Sequence, residues 1–147
     1  MPTEVRVEVA IHRSPADVAA IMFDPRRDAE WTTGVTASRP LAEGPLQAGS
    51  LVERDVRFAG KSFTYRYEVV HADERSLELR VAQPFPMAVT YRLDDVAEGT
   101  RASIHARGDA GGFFKLAGPL LERMVRRNIT KDLEALKQLA EENRPTG

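Results

Sequence analysis

The feature that most constrains the fold is a change of hydrophobic period at the start of the last third of the chain. Before Gly108, apolar and polar residues alternate in short runs, which is typical of half-buried β-strands. After Gly112, apolar residues recur every three to five positions, which predicts a long amphipathic helix from about Phe113 to Glu142. The apolar stripe of such a helix needs a partner, and the preceding sheet is the large one available. We therefore expect a sheet that grips a helix, with space for a ligand between them.

Composition is that of an ordinary globular protein. The chain has 147 residues, of which 42% are hydrophobic and 29% charged, so we expect one domain over residues 1–147. A net charge of −1 gives no overall field for nucleic acid. The absence of cysteine excludes disulfides, thiolate metal sites and a cysteine nucleophile.

No apolar run approaches the roughly 20 residues that span a bilayer, and the N-terminus does not have the pattern of a secretion signal. We expect a cytoplasmic monomer or homodimer without integral membrane contact.

The first part of the chain predicts one strand and two short helices. Residues 5–11 alternate with period two. Ser14-Pro15-Ala16-Asp17 then predicts a helix start, because serine caps a helix and proline suits its first position. Asp24-Pro25 ends this helix and starts a second short one through Glu30. Gly34 breaks the chain after it.

Six further strands are predicted between residues 36 and 106, because turn signals recur about every ten residues. Ala59-Gly60 predicts a tight hairpin, and Pro84-Phe85-Pro86 predicts a turn. The order favours an α+β fold, with a curved seven-stranded antiparallel sheet wrapped around the C-terminal helix. Pro119 removes a backbone donor, so that helix either kinks or begins again after a lead-in turn. Residues 143–147 have the composition of a frayed tail.

Several segments resemble those of one known superfamily. They are Ser14–Val18, Asp24–Trp31, Gly44–Ser50, and Phe113–Leu121 with its continuation through Arg127. In their order and spacing they resemble the START-like, or SRPBCC, helix-grip proteins, and the polyketide cyclase/dehydrase-like branch most closely. The resemblance covers nearly the whole chain and implies a deep apolar cavity between sheet and helix. Members bind lipids, carry sterols, cyclise polyketides or act in stress responses, so the function has to be argued from the site.

The expected cavity wall combines the aromatic residues of the strands with apolar residues opposite them. An aromatic stripe at period two is more often core than ligand site. The helix-grip fold changes those odds, because apolar pockets with a few polar groups are the usual form of a small-molecule site. The predicted ligand-binding residues are Trp31, Arg54, Phe58, Phe63, Tyr65, Tyr67, Met87, Tyr91, Phe113, Leu120 and Met124.

Arg54 is the most unusual of these residues. It shares a strand face with Val52 and Val56, so the alternation directs it towards the cavity. A guanidinium there cannot lose its charge and has to be paired or solvated. It could anchor a carboxylate, an enolate or a polarised carbonyl. It could equally reach water from an edge strand or pair with a loop acid.

Other chemistry has weak support. The three histidines, at 12, 71 and 105, lack metal-ligand spacing, and no glycine-rich motif joins a strand to a helix, so we expect neither a metal nor another cofactor. The acids at 73–74 and 94–95 lie in predicted turns, where they are usually solvated. The basic cluster Arg123, Arg126 and Arg127 is better explained as a solvated helix face, because Glu122, Asp132 and Glu134 interleave nearby.

The preferred function is non-covalent binding of a hydrophobic or aromatic small molecule, such as a lipid or a polyketide-like compound. The alternative is a cyclase/aromatase-like enzyme that promotes aldol closure or dehydration, with Arg54, Tyr65 and Tyr67 as candidate catalytic residues. The weakness of that alternative is the lack of an evident general base on an inward face. A third possibility is a partner-binding module with a closed cavity and an exposed apolar patch.

Overall fold

The alternating segments form one antiparallel sheet in the computed structural model, which describes residues 2–142. The elements are β1 (Thr3–Ile11), α1 (Pro15–Met22), a 3-10 turn (Pro25–Arg27), α2 (Asp28–Trp31), β2 (Val35–Pro40), β3 (Leu51–Phe58), β4 (Lys61–Ala72), β5 (Ser76–Val81), β6 (Met87–Val96), β7 (Gly99–Gly108), α3 (Gly111–Phe114) and α4 (Gly118–Glu142). The predicted α+β helix-grip architecture is confirmed. The predicted frayed tail, 143–147, lies outside the described residues.

The sheet has the strand order β1-β7-β6-β5-β4-β3-β2, and every neighbouring pair is antiparallel. From β2 to β7 each strand therefore pairs with the next one in sequence, while β1 joins β7. Register shifts between Val35 and Ala37 and between Val69 and His71 interrupt the pairing. Irregularities of this kind increase the local bend and twist of a sheet. The concave face that results holds the helix.

Two local sequence signals act as expected. The Ser14 hydroxyl accepts a hydrogen bond from the Asp17 backbone N–H and caps α1. Ala59 and Gly60 join β3 to β4 with φ angles of 52° and 80°. Two positive φ values match the twist of the flanking strands, and glycine adopts this conformation without a steric penalty.

The C-terminal helix begins again, the second of the two possibilities that Pro119 left open. Lys115 has a left-handed conformation with φ 57°, which separates α3 from α4. The buried residues of α4 are Leu121, Ile129, Asp132, Leu133, Leu136 and Ala140. The predicted stripe is therefore wrong at Leu120, which is 46% exposed, although Phe113 and Leu116 before it pack against a core cluster. The break resets the helical register, so spacing counted from Phe113 does not carry into α4.

The main core lies between the concave face of the sheet and α4, which packs chiefly along β1. A smaller cluster lies at the end of the molecule where β3–β4, β5–β6 and α3 meet. Its buried members are Phe85, Ala110 and Leu121. Within residues 2–142, no helix is long and apolar enough to cross a membrane.

Candidate functional site

A cavity of about 190 Å³ lies between the sheet and α4. Its wall is mostly apolar and includes Val56 from β3, Met87 and Val89 from β6, and Leu121 and Val125 from α4. Antiparallel alternation turns every second residue of these strands inwards, and the 3.6-residue period of α4 does the same for its inner face. The few polar groups on the wall therefore stand out.

Arg54 is the main polar group, and it points into the molecule. It is 6% exposed and pairs with Asp28, which is 1% exposed. Its Nε and Nη2 atoms donate to the same Asp28 oxygen, at 3.0 and 2.8 Å. The Ser38 hydroxyl donates to this oxygen at 2.9 Å. Because Asp28 compensates the guanidinium charge, Arg54 does not present a free cation to the cavity.

Three tyrosines surround the guanidinium. Arg54 Nη1 donates to the Tyr65 hydroxyl at 3.1 Å, and Nη2 lies 3.4 Å from the Tyr91 hydroxyl. The Tyr67 ring lies under the guanidinium, 4.8 Å from its centroid to Cζ. Tyr65 and Tyr91 line the cavity. Since the Tyr65 oxygen accepts from Arg54, its own proton is available, and it meets no acceptor within residues 2–142.

Burial and charge move the pKa values in this cluster. Burial raises the pKa of Asp28, and Arg54 offsets only part of that effect. Burial works to lower the pKa of Arg54, but the oxygens of Tyr65 and Asp28 outweigh it, so the pKa lies well above its ordinary value. Burial raises the pKa of Tyr91 to about 12. Arg54 is therefore a permanent cation, and the Tyr91 hydroxyl stays protonated.

A second carboxylate, Asp132 of α4, lies on the cavity wall. It is buried, and it accepts a 2.7 Å hydrogen bond from the Thr33 backbone N–H. Burial raises its pKa, partly opposed by the Thr33 N–H and by Arg54. No cation forms a salt bridge with it among the described residues. Asp132 is thus a carboxyl group that can exchange a proton closer to neutral pH than an exposed aspartate does.

Trp31 closes the α2 side of the cavity. Its ring meets Tyr91 edge-to-face, with centroids 5.8 Å apart. The indole N–H is buried, and no protein group in the described part of the chain accepts from it. A buried donor without a partner costs roughly 1–3 kcal/mol. A ligand oxygen that reached this N–H would recover part of that cost.

Phenylalanines cover the other end of the cavity. Phe113 and Phe114 of α3 pack against Phe63 of β4, with ring centroids 5.1 and 5.7 Å apart. Phe58 and Phe85 contact Phe114 at 5.2 and 5.5 Å. These five rings, which we call the aromatic cluster, fill the gap between two strand connections and the start of the helix. Four of them, Phe58, Phe63, Phe85 and Phe114, also line the cavity at this end.

The structure places seven of the predicted ligand-binding residues on the cavity wall, namely Trp31, Arg54, Phe58, Phe63, Tyr65, Met87 and Tyr91. Four others lie off the wall. Tyr67 is 2% exposed in the core, under Arg54. Phe113 belongs to the aromatic cluster, and Leu120 and Met124 lie one position before the inward-facing Leu121 and Val125. Leu121 and Val125 share a helix face with the buried Ile129, at steps of four residues, whereas Leu120 and Met124 do not.

The sequence did not single out the two buried acids. Asp28 is one of several charges around α2, and nothing in the pattern separates it from them. Asp132 carried a usable signal, because it follows Ile129 by three residues and precedes Leu136 by four, which puts it on the apolar stripe. Phe85 and Phe114 were assigned to a turn and to the helix start. No group of three or more acidic or histidine side chains within residues 2–142 could hold a metal ion.

Together, the fold and the cavity define a helix-grip domain with an internal apolar site. The chain belongs to the family described as polyketide cyclase / dehydrase and lipid transport, whose model matches residues 2–141. This confirms the predicted START-like, SRPBCC membership. No curated protein matches the sequence.

Solved structures share the fold at low sequence identity. The Zhui aromatase/cyclase from Streptomyces sp. R1128 is 21% identical, with a TM-score of 0.79 over 96% of this chain and 94% of that one. A protein from Thermus thermophilus is 18% identical, with a TM-score of 0.80 over 97% and 99%. A START superfamily protein from Mycobacterium smegmatis is 15% identical, with a TM-score of 0.77 over 97% and 99%. At these identities the likeness concerns the fold alone.

Proposed function

We propose that the cavity binds a compact hydrophobic or aromatic molecule, lipid-like or polyketide-like, that carries a neutral oxygen acceptor. The observation that carries this proposal is the geometry at Tyr65. Arg54 donates to the tyrosine oxygen, so the hydroxyl proton is directed away from Arg54 and remains free for a ligand. Tyr65 is half-buried on the cavity wall, and its hydroxyl donates a hydrogen bond to a ketone or phenol oxygen placed there.

The charge distribution favours a neutral ligand group over a carboxylate. The charge of Arg54 is already balanced by Asp28, so an anion entering the cavity would lose its hydration without gaining a free cation. Asp132 on the same wall would repel an anion whenever it is ionised. A carbonyl or hydroxyl oxygen avoids both costs and still accepts from Tyr65.

The cavity volume limits the size of the ligand. An apolar cavity of about 150 Å³ in another protein holds one benzene ring. At about 190 Å³, the cavity fits a molecule of one or two rings, or a short acyl segment. A longer chain requires the aromatic cluster to open.

The predicted site residues take distinct roles in this proposal. Trp31, Phe58, Phe63 and Met87 form apolar walls, and Tyr65 with Tyr91 supplies hydroxyl groups. Arg54 orients those hydroxyls, and Tyr67 supports Arg54 from below. Phe113 covers the cavity end rather than touching the ligand directly.

A binding assay tests the proposal on single variants. Isothermal titration is carried out with a panel of naphthols, flavonoid-like phenols, cyclic ketones and their carboxylate analogues. We expect a neutral compound to bind, and Tyr65→Phe to weaken it about fivefold, the usual net value of one hydrogen bond. Tyr67→Phe is the matched control, because it removes the same hydroxyl two residues away but off the wall. Binding confined to carboxylates, or equal losses in both variants, would contradict the proposal.

A second candidate is a cyclase-like enzyme, and one observation favours it. Asp132 supplies the inward-facing acid–base group that was not evident in the sequence pattern, with a pKa raised by burial. It would remove a proton from a poly-ketone while Tyr65, polarised by Arg54, stabilises the developing enolate oxygen. Turnover of a poly-ketone that disappears in Asp132→Asn, while binding of the compound persists, distinguishes this enzyme from a carrier.

A further inference from the structure

One end of the molecule carries basic residues that the structure leaves without partners. From Ala110 to Lys131 the sequence has one acid, Glu122, and five basic residues. Glu122 pairs with Arg126 at 3.6 Å. Asp132, which would follow as the next acid along α4, is turned into the cavity wall. Glu134, the third acid near this basic cluster, is exposed but forms no salt bridge within the described range. None of the three acids is therefore paired with Arg123, Arg127 or Lys131.

The remaining cations lie on one exposed stripe. Arg123, Arg127 and Lys131 follow one another at four-residue steps on α4, on the helix face opposite the buried residues. Lys115 and Lys61 extend the stripe to the aromatic cluster, where Lys61 Nζ lies 4.6 Å from the Phe113 ring centroid. All five are exposed, and none forms a salt bridge with another residue of the described range 2–142. We call these five residues the basic stripe.

Exposed apolar groups accompany the basic stripe. Leu120 is 46% exposed on the same helix face, and Ala117 and Pro119 beside it are also exposed. Phe113 and Leu116 are half-buried behind them. The opposite end of the sheet differs, because its turns carry the exposed acids Asp73, Glu74, Asp95 and Glu98. The net charge of −1 thus conceals an uneven distribution of charge.

We propose that the basic stripe, with Leu120 at its centre, docks this protein on an anionic lipid surface. Basic residues next to exposed apolar side chains are the combination that holds a protein at an acidic bilayer interface. A nucleic acid would use the cations but not the exposed leucine. In the docked state the aromatic cluster lies next to the lipid, so an apolar ligand would pass from bilayer to cavity with little exposure to water. The docking itself goes beyond the cavity function and does not depend on it.

Vesicle co-sedimentation of the whole protein tests the docking. The vesicles contain phosphatidylcholine alone or phosphatidylcholine with phosphatidylglycerol. We expect binding to the acidic vesicles alone, and weaker binding as salt is added. Each basic residue near an acidic membrane changes the partition by roughly fivefold. We therefore expect the double variant Arg123→Glu/Arg127→Glu to bind at least about 25-fold more weakly.

Two further variants separate a lipid surface from other partners. Arg101→Glu is the matched control, because Arg101 is exposed, forms no salt bridge with the described residues and lies at the opposite end of the sheet. It should bind vesicles like the original protein. Leu120→Ser should weaken vesicle binding but leave binding to heparin, a polyanion without lipid, unchanged. Unaltered melting temperatures show that each variant is folded.

Three results would overturn the proposal. The first is that the folded protein does not sediment with acidic vesicles at low salt. The second is that Arg101→Glu and the double variant lose vesicle binding equally. The third is that Leu120→Ser leaves vesicle binding unchanged. The last result, together with strong heparin binding, would identify the stripe as a polyanion site. None of these outcomes bears on the cavity, because no ligand is present in the assay.

Discussion

The two faces of β3 carry the same kind of chemistry in opposite surroundings. On the concave face, Arg54 pairs with Asp28 at 2.8 Å, and both side chains are almost fully buried. On the convex face, the adjacent Glu53 and Asp55 pair with Arg39 at 2.8 and 3.0 Å, in contact with water. The distances barely differ. What differs is the loss of hydration. Removing one partner of the inner pair leaves a buried charge and costs much stability, whereas removing a partner of the exposed outer pairs costs little.

The two faces also respond to pH with opposite sign. Burial raises the pKa of Asp28, so the folded state holds this proton more tightly than the unfolded state, and stability falls as pH rises through the raised pKa. Hydrogen bonds from Arg39 and Thr64 lower the pKa of Asp55 to about 2. That contribution is present above the ordinary aspartate pKa and is lost as pH falls towards 2. The ion pairs on the two faces of one strand, through Asp28 of α2 and Asp55 of β3, therefore contribute opposite dependences on pH.

The largest expected effect comes from breaking the inner pair. Arg54→Met leaves Asp28 buried without its cation, which costs about 3–5 kcal/mol. Thermal unfolding at neutral pH should show a melting temperature lower by roughly 10 °C. Because the pKa of the unpaired Asp28 rises further, acid pH should restore part of the loss.

A double variant shows whether the loss comes from the stranded charge. Arg54→Met/Asp28→Leu removes both charges, and we expect it to regain most of the stability, because apolar replacements of buried pairs are often neutral or stabilising. A double variant as unstable as the single one would mean that packing around Arg54, not its charge, supports the fold.

A smaller effect of opposite sign is expected at Asp132. Its carboxylate is buried without a salt bridge in the described structure, so ionisation at neutral pH costs stability. Asp132→Asn should raise the melting temperature by a few degrees at neutral pH. The gain should shrink as pH falls through the raised pKa, because the original side chain then becomes neutral as well. Asp109→Asn, at an exposed position that forms no salt bridge with the described residues, is the control that should show no such gain. A gain independent of pH would contradict the role of ionisation.

The smallest effect is expected on the outer face. Arg39→Met removes two exposed ion pairs, and the change in melting temperature should fall within the scatter of the measurement in physiological salt. Any difference should appear only in low salt and above the pKa of Asp55. A loss comparable with that of Arg54→Met would remove the distinction between the two faces.

The architecture could be predicted because its signals are local. Alternation at period two, the Ser14 cap and the Ala59-Gly60 turn each depend on neighbouring residues, and the structure reproduces all three. The inner face of β3 was also predictable, since alternation directs Arg54 inwards. The aromatic wall followed from the same pattern, apart from Tyr67, which lies deeper than the cavity.

The α4 side of the cavity could not be predicted in the same way. Leu120 and Met124 were counted forward from Phe113, across the break at Lys115. Leu121 and Val125 precede the buried Ile129 by eight and four residues, so they share its face and line the cavity. Spacing counted across a left-handed residue does not identify the inner face, whereas spacing counted back from Ile129 stays within α4 and does. The inner face of α4 also includes Asp132, while Arg123 and Arg127 lie on the opposite face and form no salt bridge with the described residues.

By itself the sequence determined the strands, their order along the chain and the inward direction of Arg54, because period and turn chemistry act over a few residues. The tertiary structure alone decided which partner each charge has. Asp28 and Arg54 are 26 residues apart, and Thr33 and Asp132 are 99 apart. Such pairs exist only once the sheet has closed around α4. The burial that then removes their hydration gives both the pKa shifts and the chemistry of the cavity.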